Sequence, residues 1–327
     1  MALSFDLSLL SKYRTPLMGI AMLFVMFFHL PIDDSQIPFV FRFIRRIGFG
    51  GVDFFFFLSG LGIYFAYTKN STKQFYNKRL LRILPYYIPI VIAFSLLFQY
   101  PNGIIDFKSM LFQVFLLDFW VGKNALGWYI PVAILFYIIT PVLMNLVSKN
   151  IIKYSLILIS ILVVTDIVIC IFLKSPFFMY IFIRLADYML GILIGYLISQ
   201  KLRINYVWLL LSLIVGISTL LLNYIYSYQG GYIALLLRVL PFFFLALPMC
   251  SLISYLFSLV RDYKYPVLSF VGTYTLCIYA FQERINEILL FYHVPYVAIL
   301  GVLLTFPLAV LWQTLVSKIL TKVNHLS

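Results

Sequence analysis

Ten apolar runs, each close to the length that crosses a bilayer, follow one another through the 327 residues. A spanning helix needs about 20 such residues, and its backbone amides must be bonded internally where water is absent. The runs fall at 13–32, 48–67, 83–100, 126–147, 152–173, 184–200, 205–226, 233–257, 266–287 and 294–317. They predict an all-α fold, a polytopic membrane helix bundle of about ten transmembrane helices. Only 11% of the residues are charged, against about 25% in a soluble domain. The run 109–120, "SMLFQVFLLDFW", is too short to cross and reads as an interfacial or re-entrant helix. No stretch is long and polar enough for a separate soluble domain, so residues 1–327 read as one integral-membrane domain. The first run is expected to stay as an uncleaved anchor, because no small-residue cleavage site follows it.

Basic residues in short loops mark the cytoplasmic side. Placing the N-terminus there puts Lys12 and Arg14 inside, with Lys69, Lys73, Lys78, Arg79, Arg82, Lys149, Lys153, Lys201, Arg203, Arg261, Lys264, Lys318 and Lys322. The opposite loops hold few beyond Arg42, Arg45 and Arg46. Both termini are therefore expected to be cytoplasmic. The net charge of +13 has this topological origin. Nucleic acid is not expected as a partner, since no basic face interleaves with stacking aromatics. Cys170, Cys250 and Cys277 all lie within apolar runs and read as small buried hydrophobes. No spacing of His, Cys and carboxylates predicts a metal site.

Ionisable groups within spans are costly and usually face the bundle interior. Depth sorts them. His29 lies near the outer end of the first run and Asp53 near the outer end of the second. Trp128 and Tyr129 of the fourth, Arg184 and Asp187 of the sixth, and Gln282 and Glu283 of the ninth share that level. On the cytoplasmic side, "KRLLRILPYY" puts Arg79 and Arg82 three residues apart on one helix face, with Arg14 at the same level. Paired guanidinium forks suit phosphate. Plainer roles exist for most of these. The arginines could be topology anchors, Trp128 part of an aromatic belt, Arg184 and Asp187 an i,i+3 pair, and Gln282 a bridge between helices. Asp53 could bond an amide near Gly50 and Gly51.

Arg14 and His29 are fifteen residues apart. On a helix that spacing is about 22 Å of rise, with the two side chains within about 60° of one face. A long molecule lying along that face would meet a cation at one end and an imidazole at the other. Coenzyme A has this shape, with phosphates at one end and a thioester at the tip of a flexible arm. Histidine takes a proton near neutral pH, and Asp53 is expected to hold its other nitrogen.

Five segments then fall in order: "LMGIAMLFVMFFHL", "FGGVDFFFFLSGLGIYF", "KRLLRILPYY", "LGWYIPVAILFYIITPVL" and "LSFVGTYTLCIYAFQ". Together they resemble the integral-membrane acyltransferase-3 family, whose members O-acylate sugars and related acceptors, usually from acetyl-CoA. The resemblance implies a ten-span bundle, a cytoplasmic acyl-CoA donor and a bacterial plasma (inner) membrane. It implies His29 as general base and maps the family's arginine-x-x-arginine to Arg79 and Arg82. The second-span aspartate maps to Asp53 and the fourth-span tryptophan to Trp128. The usual first-span arginine, however, falls on Met18, and Arg14 one turn earlier is expected to replace it. Gln282 stands where many relatives carry histidine.

The expected function is O-acetyl transfer to a cell-surface glycan or lipid-linked sugar, with acetyl-CoA phosphates on Arg79, Arg82 and Arg14. His29 and Asp53 supply the base, and Trp128 or Tyr129 the oxyanion donor. A covalent acyl-histidine relay is a variant of this scheme. A flippase of a lipid-linked sugar is the rival from another class, and a membrane subunit without chemistry is a third reading. Membrane lipids surround the chain on any of these, and its association with itself is left open.

Overall fold

The computed structural model describes residues 4–99, 106–122, 127–173, 176–226, 231–260 and 264–326. Arg261, and the expected span ends at residues 100 and 126, lie outside them. Helices account for nearly all of the described chain; two-residue strands, β1 (Ser4–Phe5) and β2 (Ile204–Asn205), pair antiparallel. Among the described residues, eight helices are long and apolar enough to cross a membrane. The protein is a multi-pass integral membrane protein.

These eight cover eight of the ten expected runs. They are α4 (Gly51–Thr68), α5 (Thr72–Gln99), α7 (Tyr129–Val147), α8 (Ile151–Val168), α9 (Pro176–Ser199), α10 (Tyr206–Tyr226), α11 (Gly231–Leu259) and α14 (Val297–Leu326). The other two runs differ. The first forms α2 (Arg14–Phe28), only 15 residues long, with α1 (Ser8–Lys12) just before it. The ninth is broken at Tyr274 into α12 (Pro266–Thr273) and α13 (Thr275–Phe291). The short run at 109–120 yields α6 (Phe107–Val114), and the loop after α2 holds α3 (Phe39–Ile47).

α4 is the central post. Every residue from Gly51 to Leu61 is buried, which is why its sequence is apolar all round and shows no amphipathic stripe. Without a hydrophobic force between helices in lipid, close approach depends on small residues. Gly60 of α4 sits against the Tyr188 carbonyl of α9, and Gly191 of α9 against the Phe57 carbonyl of α4. α2 meets α12 in the same way, Gly19 against the Leu268 carbonyl and Gly272 against the Thr15 carbonyl. Prolines inside spans are tolerated when a neighbour answers the freed carbonyl. Pro248 removes the donor for the Phe244 carbonyl, and Ser212 Oγ of α10 supplies one at 2.7 Å.

At the end of the bundle away from Arg14, α3 exposes Phe39, Val40 and Phe41. Its Arg45 reaches back to the Leu30 carbonyl at 3.1 Å and to Asp34, which also receives Arg46. The Arg45 and Arg46 bonds hold the Asp34 carboxyl below the usual carboxylate range. By contrast, α10 turns Trp208, Leu211 and Ile214 outward, as a lipid-facing helix does.

Replacing Gly191 with Leu is expected to force α4 and α9 apart. Overpacking of this kind costs about 1–3 kcal/mol or more, and the melting temperature in detergent should fall by several degrees. Leu211→Phe on the lipid face should leave it in place; equal melting of both variants would contradict the close contact.

Candidate active site

Three arginines from two helices meet in one cavity of about 750 Å³. Arg14 enters from the first residue of α2, and Arg79 and Arg82 from one face of α5. Arg14 Nε donates to the Leu58 carbonyl at 2.7 Å. Its guanidinium lies over Gly62, where a Cβ would come within 2.8 Å of Cζ. Arg79 lies against the rings of Phe75 and Tyr137, at 5.8 and 5.9 Å from their centroids. Such contacts stabilise a partly desolvated guanidinium. The break between α12 and α13 also opens here, since Thr275 and Leu276 line the wall.

The cavity follows α2 from Arg14 past Met18 and Met22 to Val25. Arg14 and Met18 therefore share one wall, and the charge stands one turn nearer the basic end. Tyr129 and Tyr279, with ring centroids 5.4 Å apart, line the far part. One turn beyond Val25 on α2 is His29, and one turn beyond Tyr279 on α13 is Glu283. His29 Nε2 and Glu283 Oε1 are 3.0 Å apart. Four residues of helix rise about 6 Å, so this pair lies just past the tyrosines.

α13 fastens the end of α2 at three points. Helix C-termini leave carbonyls without intrahelical donors. Gln282 Nε2 donates to the Met26 carbonyl at 3.0 Å and Asn286 Nδ2 to the His29 carbonyl at 3.4 Å, while Glu283 takes the His29 ring. Gln282 is thus a bridge between helices. Glu283 also accepts the backbone N–H of Gly127. Gly127 has φ +73°, and a Cβ there would stand 2.7 Å from the Tyr87 hydroxyl. A left-handed backbone with no room for a side chain calls for glycine.

Asp53 is not beside His29, which corrects the expectation that it orients the imidazole. It is fully buried and faces Arg184, with Nε 3.6 Å from Oδ1. Asp187 adjoins it, and Asp166 of α8 faces the same guanidinium. The reason is packing. The close contact of α4 with α9 turns Asp53 toward α9, where a buried carboxylate finds its counter-charge. Trp128 lies outside the arginine-lined cavity. Its ring centroid is 4.6 Å from the Arg184 guanidinium carbon, so it covers the buried cation. Among the described residues, no three His, Cys, Asp or Glu side chains are arranged to hold a metal ion.

The family model described as an acyltransferase domain matches residues 17–320. The chain belongs to the acyltransferase-3 family. No curated protein and no solved structure shows significant similarity to it. In this membrane acyltransferase, the matched span includes Arg79, Arg82, His29 and Glu283, while Arg14 lies just before it. Sequence depth placed Glu283 at the right level, but nothing in the sequence marked it as the partner of His29.

Removing the buried cation should be more harmful than removing its cover. Arg184→Gln leaves Asp53, Asp166 and Asp187 without it, a loss of about 3–5 kcal/mol for an uncompensated buried charge. Little folded protein is expected in detergent. Trp128→Phe keeps an aromatic face and should lower the melting temperature only modestly. A folded Arg184→Gln protein of normal stability would contradict the cluster's structural role.

Proposed function

We propose that the protein is an O-acyltransferase that moves an acetyl group from acetyl-CoA to a hydroxyl of a cell-surface glycan or lipid-linked sugar. The observation that carries this reading is the alignment along α2. A cavity lined by Arg14, Arg79 and Arg82 runs toward a His29–Glu283 pair at the other end of the same helix. Phosphates are anions whose oxygens suit guanidinium forks, and the arm of CoA fits the apolar wall of Met18, Met22 and Val25. With both termini in the cytoplasm, the basic end faces the CoA pool and His29 faces the far side of a bacterial inner membrane.

The chemistry follows from the pair. Glu283 accepts Nε2–H of His29, which leaves Nδ1 as the proton acceptor and fixes the tautomer. Nδ1 takes the proton of the acceptor hydroxyl, and the oxygen attacks the thioester carbonyl. The Tyr129 hydroxyl, on the cavity wall, donates to the developing oxyanion. The carbon–sulfur bond then breaks, and the CoA sulfur leaves with the proton returned from His29. The products are the O-acetyl ester and free CoA thiol. Glu283 orients the imidazole, and Tyr129 is the oxyanion donor. Asp53 and Trp128 support the helices that carry the site.

Acetyl transfer in membranes bearing the natural acceptor tests this. His29→Ala should lower kcat roughly 10²–10⁴-fold, the usual worth of a positioned acid–base group. Glu283→Gln should fall in the same range with the acetyl-CoA KM unchanged. Arg79→Gln and Arg82→Gln should each raise that KM about tenfold or more, since hydrogen bonds to charged groups are worth about 1.5–3 kcal/mol. If Glu283→Gln stays active while folded Asp53→Asn is dead, the assignment of the orienting carboxylate is wrong.

A further inference from the structure

Arg238 sits in the first turn of the apolar segment Leu236–Leu259 of α11 and is half-buried. Its guanidinium carbon lies 4.6 Å from the Phe49 ring centroid and 5.8 Å from that of Phe28. Among the described residues, no carboxylate and no carbonyl takes its N–H groups. The carboxylates at this end of the bundle are committed elsewhere. Asp34 takes Arg45 and Arg46, Asp33 takes Ser35, Glu283 takes His29, and Glu287 faces Arg284. Carbonyls at the end of α2 are taken too, Met26 by Gln282, His29 by Asn286 and Leu30 by Arg45.

The seat under this cation is built from several elements. Phe49, in the turn before α4, packs edge-on against Phe28 of α2 and Phe242 of α11, with centroids 5.7 and 5.1 Å apart. Gly50 makes room for Phe242, since a Cβ there would come within 2.0 Å of its ring. The rings give the guanidinium a fixed place, where a lone arginine at a span end would swing toward water. Ring faces attract the charge, but the in-plane fork of N–H donors still needs acceptors. At the depth of a span's first turn, the acceptors that the surroundings supply are lipid phosphates. A phosphate offers both the counter-charge and paired oxygens that match the fork. A free anion would have to give up its hydration to reach this place, whereas a lipid phosphate is held there by its chains.

We infer that Arg238, on its seat of Phe28 and Phe49, binds the phosphate of a membrane lipid. Phe28 also packs against the His29 ring, with centroids 4.9 Å apart, so one aromatic ring joins the lipid site to the reacting pair. The site is independent of the acetyl-transfer reading, because it is read by binding without turnover. The test uses the purified full chain, stripped of lipid in a neutral detergent, and native mass spectrometry. Phosphatidylglycerol and farnesyl phosphate are titrated beside their phosphate-free counterparts, diacylglycerol and farnesol. At least one phosphate lipid should bind about tenfold or more tightly than its counterpart, the worth of a hydrogen bond to a charged group. Arg238→Gln should remove that preference, and Arg238→Lys, which keeps the charge but loses the fork, should weaken it several-fold. Arg79→Gln, in the other arginine site, should leave it unchanged. Tighter binding of farnesyl phosphate assigns the site to an isoprenoid carrier, and tighter binding of phosphatidylglycerol to a lipid of the bilayer. Equal binding with and without the phosphate overturns the site. So does a preference unchanged in folded Arg238→Gln, or in Arg238→Lys where the glutamine variant does not fold.

Discussion

A charged side chain among apolar helices must be answered by a counter-charge, by hydrogen bonds or by a water-filled space. That requirement organises this bundle into three polar centres. Arg184 is answered by Asp53, Asp166 and Asp187 and covered by Trp128. Its cluster is fully buried and holds α4, α8 and α9 together. Arg14, Arg79 and Arg82 are answered by a cavity. His29 and Glu283 answer each other, one helical turn past the Val25 and Tyr279 that line that cavity. The first centre is closed to the outside, and the second opens into the cavity.

The two kinds of centre are separated by helix choice. α4 and α9 touch through glycines, with no room between them, and so carry the closed cluster. α2 touches α12 equally closely near its start, yet leaves space on the α5 and α7 side from Arg14 to Val25. α13 begins at that space, lines it with Tyr279, and then closes on α2 through Gln282, Glu283 and Asn286. The brevity of α2 has a use here. Its 15 residues end at Phe28 and His29 is the C-cap, so the imidazole stands where the helix stops rather than inside a longer span.

Much of this was legible in the sequence. Run lengths alone located the helices, and flanking position marked Arg14, Arg79 and Arg82 as residues that share a level. What depth could not supply was azimuth. His29, Asp53, Arg184 and Glu283 all lie toward one end of their helices, and pairing them requires knowing which faces touch. The Gly191-x-x-x-Gly195 spacing in α9 was the available clue that α9 packs tightly, and that contact turns Asp53 away from His29. The break at Tyr274 left no mark, because neither Tyr274 nor Thr275 is a helix breaker.

The central claim is that one acyl-CoA spans α2 from its arginine end to its histidine end. An experimental structure with a non-hydrolysable thioether analogue of acetyl-CoA tests it most directly. The account predicts the phosphates on Arg14, Arg79 and Arg82, and the acyl carbon near enough to His29 Nδ1 for one hydroxyl oxygen to bridge them. Phosphates bound away from these arginines, or an acyl tip that ends at the Asp53–Arg184 cluster, would contradict it.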